Sequence, residues 1–153
     1  MRKPLACPAW LVPLFVSAVA LAALTLHLTP FTGTWQLSVA KSQFRPGPGP
    51  KRETVTLSPE GTTTFEGVDA EGNHYQASYP WSGGAKVPIQ GIENATVIDQ
   101  FQGNTWDHTM MRGKGTQTAH GVLSKDGRTA TFTVTGTDEQ GRPVHHVEVY
   151  QKQ

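Results

Sequence analysis

Asp99, His108 and His120 are the residues whose types and spacing most suggest chemistry. A hairpin turn centred on Lys114 places His108 opposite His120 on neighbouring strands. A two-residue turn at Gly103-Asn104 brings Asp99 opposite His108, so the three side chains form one row across three strands. Two imidazoles and a carboxylate can hold zinc or move protons as general acid and base. The same residues serve equally as polar cross-strand neighbours, and a one-residue slip sends alternate side chains to opposite faces. His145 and His146 are adjacent on a strand, so they point to opposite sides and cannot chelate together.

Other reaction signatures are missing. Gly-x-Ser-x-Gly, His-Glu-x-x-His, Cys-x-x-Cys and a dinucleotide fingerprint do not occur. Gly113-Lys114-Gly115-Thr116 lacks the earlier glycine of a phosphate loop and sits between strands, so it is read as a hairpin turn. The single cysteine, Cys7, falls in the apolar N-terminal stretch, which leaves residues 31–153 without a disulfide or a cysteine-ligated metal. Net charge is +1, with 13 basic and 12 acidic residues, and gives no reason to expect nucleic acid. The expectation is a non-enzymatic protein with no cofactor and no metal, with Asp99, His108 and His120 as the only alternative.

A second set of residues suggests binding instead. Phe65, Tyr75, Tyr79, Trp106 and Phe132 fall on strands, and inward aromatics in a small barrel line a cavity for one small apolar molecule. Alternatively they fill the lumen solidly, leaving a module that works through its outer surface in the cell envelope.

These side chains need a framework, and the sequence supplies strands. Glu53–Ser58 alternates Thr54 and Thr56 with Val55 and Leu57; Thr129, Thr131, Thr133 and Thr135 alternate with Ala130, Phe132 and Val134. Turn chemistry recurs at Pro59-Glu60-Gly61, Glu71-Gly72-Asn73, Gly103-Asn104, Gly113-Lys114-Gly115, Asp126-Gly127 and Glu139-Gln140-Gly141. Asp126-Gly127 is read as a two-residue hairpin turn, and Ser82–Asn94 as a looser stretch without a strand. The result is an all-β, antiparallel up-and-down meander of about eight or nine strands, closing into a small barrel because closure removes exposed edges. An open β-sandwich is the second choice.

Residues 1–30 read differently. Arg2 and Lys3 precede an apolar run whose end offers Ala18-Val19-Ala20 and Ala20-Leu21-Ala22 as cleavage sites, the pattern of a signal peptide. Residues 9–28 are also long enough to form an uncleaved hydrophobic anchor helix. Either way the domain at 31–153 is exported, periplasmic or secreted, or held at the inner membrane.

Phe31-Thr32-Gly33-Thr34-Trp35 at the first strand, Val39-Ala40-Lys41-Ser42, the Arg45–Pro50 Pro-Gly connector, Ser124–Thr129 and Val149–Lys152 resemble the lipocalin-like or calycin superfamily, and small exported bacterial proteins of that type. The resemblance implies that Gly33 and Trp35 form the barrel-end motif, with Lys152 as the cation lying across the Trp35 ring. It also implies a lumen that takes a small hydrophobic ligand, under a first connector that either arches over the open end or spaces the strands stiffly.

Overall fold

The computed structural model describes residues 28–153, so the signal-or-anchor reading of the N-terminal segment lies outside the described residues. Ten strands follow: β1 Gly33–Leu37, β2 Arg52–Leu57, β3 Thr62–Val68, β4 His74–Pro80, β5 Val87–Pro88, β6 Ala95–Gln102, β7 Thr105–Arg112, β8 Gly115–Leu123, β9 Thr129–Thr137 and β10 Pro143–Lys152. Their order in the sheet is β4-β3-β2-β1-β10-β9-β8-β7-β6-β5. Chain neighbours are sheet neighbours except between β4 and β5. β1 closes the ring by also pairing with β10, Trp35 opposite Lys152. Between β4 and β5 a reciprocal pair of amides completes the circuit: Ser78 N donates to Gln90 O at 3.0 Å and Gln90 N donates to Ser78 O at 2.8 Å. The expected meander and its closure into a nearly complete barrel are both present.

The strand missed in the sequence is β5. It has two residues, it ends on a proline, and glycines 83 and 84 precede it with positive φ, so no alternation marks it. The loops carry two further corrections. The β8–β9 hairpin turns through four residues, not through Asp126-Gly127 alone. Ser124 N donates to Thr129 O, and the Asp126 carboxylate accepts from Ser124 Oγ and from Arg128 N. Gly127 takes the left-handed position at φ +69°, where a side chain is strained. The β7–β8 turn is Gly113-Lys114, pairing Arg112 with Gly115. Two glycines flank Lys114 and only Gly113 turns the chain, at φ +57°. Gly115 is a strand residue, where a Cβ would come within 2.7 Å of the Asp138 backbone.

Strand alternation sorts the barrel into an inside and an outside. On β9, Ala130, Phe132 and Val134 are buried while the threonines between them face outward. One end of the lumen is plugged by Phe31, Trp35, Leu57, Trp106, Leu123 and Phe132. Phe31 gathers Trp35, Phe101, Trp106 and Phe132 around it at ring-centroid distances of 5.9 to 6.4 Å. The Trp35 indole donates to Phe31 O at 2.6 Å, and Lys152 Nζ lies 5.2 Å from the Trp35 ring centroid.

The connector between β1 and β2 does not stand off as a spacer. A 3₁₀ turn at Val39–Lys41 leads to Gln43, which bridges to Val147, while His145 N donates to Arg45 O. Phe44 is half-buried against the core, with its ring 5.4 Å from that of His146. A Cβ on Gly49 would meet that ring at 2.3 Å, so the glycine lets the connector fold back over Phe44.

Candidate ligand cavity

Between the aromatic plug and the opposite end lies a cavity of about 220 Å³. All five aromatics expected to line a lumen do face it: Phe65 on β3, Tyr75 and Tyr79 on β4, Trp106 on β7 and Phe132 on β9. Val55, Ala77, Val97, Ala119 and Val134 complete its apolar wall. Small side chains make the space. Ala77 and Ala119 stand where larger inward residues would fill it, and Gly121 leaves room for the Phe132 ring, which a Cβ there would meet at 2.2 Å.

Two sets of polar groups of different character belong to the residues around this space. The first is a pair of glutamates that the sequence reading passed over. Glu53 on β2 accepts from the Tyr75 hydroxyl at 2.5 Å and, through its other oxygen, from the Tyr150 hydroxyl. Tyr150 also lies 3.2 Å from Glu148 Oε2 on β10, so one phenol stands between two carboxyls. Burial is the main cause of the raised pKa of both acids, and it lifts Glu148 to about 7. Tyr75 and Tyr150 are pushed up as well, first by burial and then by the neighbouring carboxylates. The signal for this pair was in the strand pattern: Glu53 alternates in phase with Val55 and Leu57, and Glu148 with Tyr150, so both occupy inward positions.

The second is a set of polar atoms with few partners among the described residues. Tyr79 OH, Trp106 Nε1, His108 Nδ1 and Asp99 Oδ2 are each buried, and only the Tyr79 oxygen has a hydroxyl, that of Thr63, beside it. The first three belong to residues that line the cavity. Burial depresses His108 to about 4, against the opposing pull of Asp99 and Asp107, so the ring is neutral at pH 7. Asp99 is 1% exposed and is engaged on its other oxygen, which accepts from Ser82 N at 2.6 Å and Ser82 Oγ at 2.7 Å. With Gly84 N donating to Asp99 O at 2.8 Å, these bonds tie the β4–β5 link to β6 ahead of the two residues through which β5 pairs with it.

The row of Asp99, His108 and His120 does not form. Asp99 and His108 are opposed as expected, but the two-residue turn at Gly113-Lys114 pairs His108 with Ala119 and His120 with Asp107. His120 therefore faces outward, where Nδ1 lies 2.6 Å from Asp107 Oδ1 in an exposed pair. Among the described residues no group of three His, Cys, Asp or Glu is placed to hold a metal ion.

No protein-family model matches the chain, and no curated protein matches it. Solved structures do. Fatty-acid-binding protein 1 of Echinococcus granulosus superposes with a TM-score of 0.52 at 14% identity, over 80% of this chain and 97% of the other. The Schistosoma mansoni fatty acid binding protein, solved with arachidonic acid, gives 0.53 at 15% over 82% and 97%. The fatty-acid-binding protein from the brain of Drosophila melanogaster gives 0.51 at 19% over 79% and 98%. At these identities the likeness is one of fold: the chain is a calycin-like barrel.

Proposed function

We propose that this chain is an exported, non-catalytic binding protein that shelters one small apolar molecule inside its barrel. The observation that carries the reading is the cavity of about 220 Å³ with aromatic and aliphatic walls. An engineered apolar cavity of about 150 Å³ suffices to bind benzene, so this space suits a molecule with one ring and a short chain. Burying about 200 Å² of such a ligand is worth roughly 5 kcal/mol at ~25 cal/mol per Å², which corresponds to affinities between micromolar and millimolar. The fold is shared with proteins named for binding fatty acids, which supports a lumen adapted to apolar guests. Export is supported by Arg2, Lys3 and the apolar run that follows them. The reading as a His-dependent enzyme has lost its triad, because His120 faces away from the lumen.

The test is titration of the full chain with neutral 2-phenylethanol, following tryptophan emission and thermal unfolding. Trp35 and Trp106 line the cavity, so a bound ring alters their fluorescence. The expected result is a saturable emission change with a matching rise in Tm. No saturable change up to millimolar ligand would leave the outer surface as the working part of the molecule.

A further inference from the structure

The cavity walls contain two glutamates and neither a lysine nor an arginine. None of the ion pairs among the described residues involves Glu53 or Glu148. Both oxygens of Glu53 accept from phenols, whereas Glu148 Oε2 lies 3.2 Å from the Tyr150 oxygen, whose one proton is already given to Glu53. One carboxyl oxygen of Glu148 therefore faces the lumen without a donor. Unpartnered buried polar atoms are costly, and a guest that satisfies them recovers that cost.

From this distribution we infer that the occupant of the lumen is a small aromatic amine, its ammonium on Glu148 and Glu53. The inference rests on the binding function proposed above and names the ligand class. A carboxylate is the wrong guest here. It would enter a desolvated space with two acids and no cation, so the site could take it only with protons held on those acids. An ammonium instead supplies the donor that Glu148 lacks and the charge that offsets both acids. The raised pKa of both glutamates is the mark of acids buried without a counter-ion, which is the state an incoming ammonium relieves.

Calorimetric titration of the full chain at about pH 8 tests this with three molecules of one shape: tyramine, 2-(4-hydroxyphenyl)ethanol and 4-hydroxyphenylacetate. Tyramine is expected to bind at least about tenfold tighter than the acid, with the alcohol between them. In Glu148→Gln the preference for amine over acid narrows to about threefold or less. If the alcohol binds and the acid equals or exceeds the amine, the ligand class is wrong while the cavity reading stands. If none of the three binds, both fall. An amine preference unchanged in Glu148→Gln and in Glu53→Gln would remove the glutamates as its cause.

Discussion

Tyr75 and Gly67 stand directly opposite one another on β4 and β3, and the phenol passes over the bare glycine to reach Glu53 on β2. A Cβ at residue 67 would lie 2.6 Å from the Tyr75 hydroxyl oxygen and 2.4 Å from the Arg52 carbonyl. Gly67→Ala is therefore expected to lose about 1–3 kcal/mol by overpacking. Tyr75→Phe, which deletes only the hydroxyl, is expected to lose about 1 kcal/mol. Urea unfolding of both variants gives the order, and an alanine variant as stable as the parent would show that the crossing needs no such gap.

Glu148 and His108 make stability respond to pH in opposite senses. Burial lifts Glu148 from 4.5 to about 7, so between those values the folded chain keeps a proton that the unfolded chain has released. Its contribution is complete below about pH 4.5 and is lost as pH rises through about 7. His108 is depressed from 6.5 to about 4, so its contribution is complete above about pH 6.5 and is lost as pH falls through about 4. The parent chain thus shows a muted profile. Its advantage in Tm over Glu148→Gln is expected to be larger at about pH 5 than at about pH 8, and His108→Phe is expected to remove the loss on the acid side. An advantage over Glu148→Gln that is flat or grows towards alkaline pH would contradict the raised acid.

Asp99 and His120 separate a structural role from a decorative one. Asp99→Ala removes the acceptor for Ser82 N and Ser82 Oγ at a buried site, with an expected loss of about 2–4 kcal/mol. His120→Ala breaks a pair whose side chains are about half exposed, with an expected loss under about 1 kcal/mol. Equal and large losses from both substitutions would argue for the row of three that the register denies.

Lys152 over Trp35 is an exposed cation on a buried ring. Lys152→Ala is expected to cost about 0.5–1 kcal/mol, while Lys152→Arg, which keeps a cation above the indole, stays near the parent. Chemical denaturation distinguishes them, and an arginine variant as weak as alanine would mean that the lysine stem, not its charge, covers the ring.

Much of this barrel was legible because strand alternation and turn residues agree along most of the chain. Thr129–Thr135 declared which face was wet, and Gly33, Trp35 and Lys152 met as the resemblance implied. The failures share a physical origin in turns. Gly113 and Gly115 look alike in sequence, yet one supplies a positive φ and the other clears space beside Asp138, and choosing wrongly shifts the register by one residue. That slip alone produced the histidine row. Glu53 and Glu148 were missed for another reason: a charged residue on a half-buried strand is ordinarily assigned to solvent, and only the closed ring shows that its inward face is a lumen.

The amides of Ser78 and Gln90 are the one place where the wall of this cylinder is tacked and not stitched. Below them Ser82 and Asp99 hold the edges together, so the join opens from the top like a collar with its lowest button fastened. Parting it would cost two hydrogen bonds and the packing of Ile89 against Ala77 and Tyr79 but no rung between regular strands, which makes this seam the weakest line in the wall.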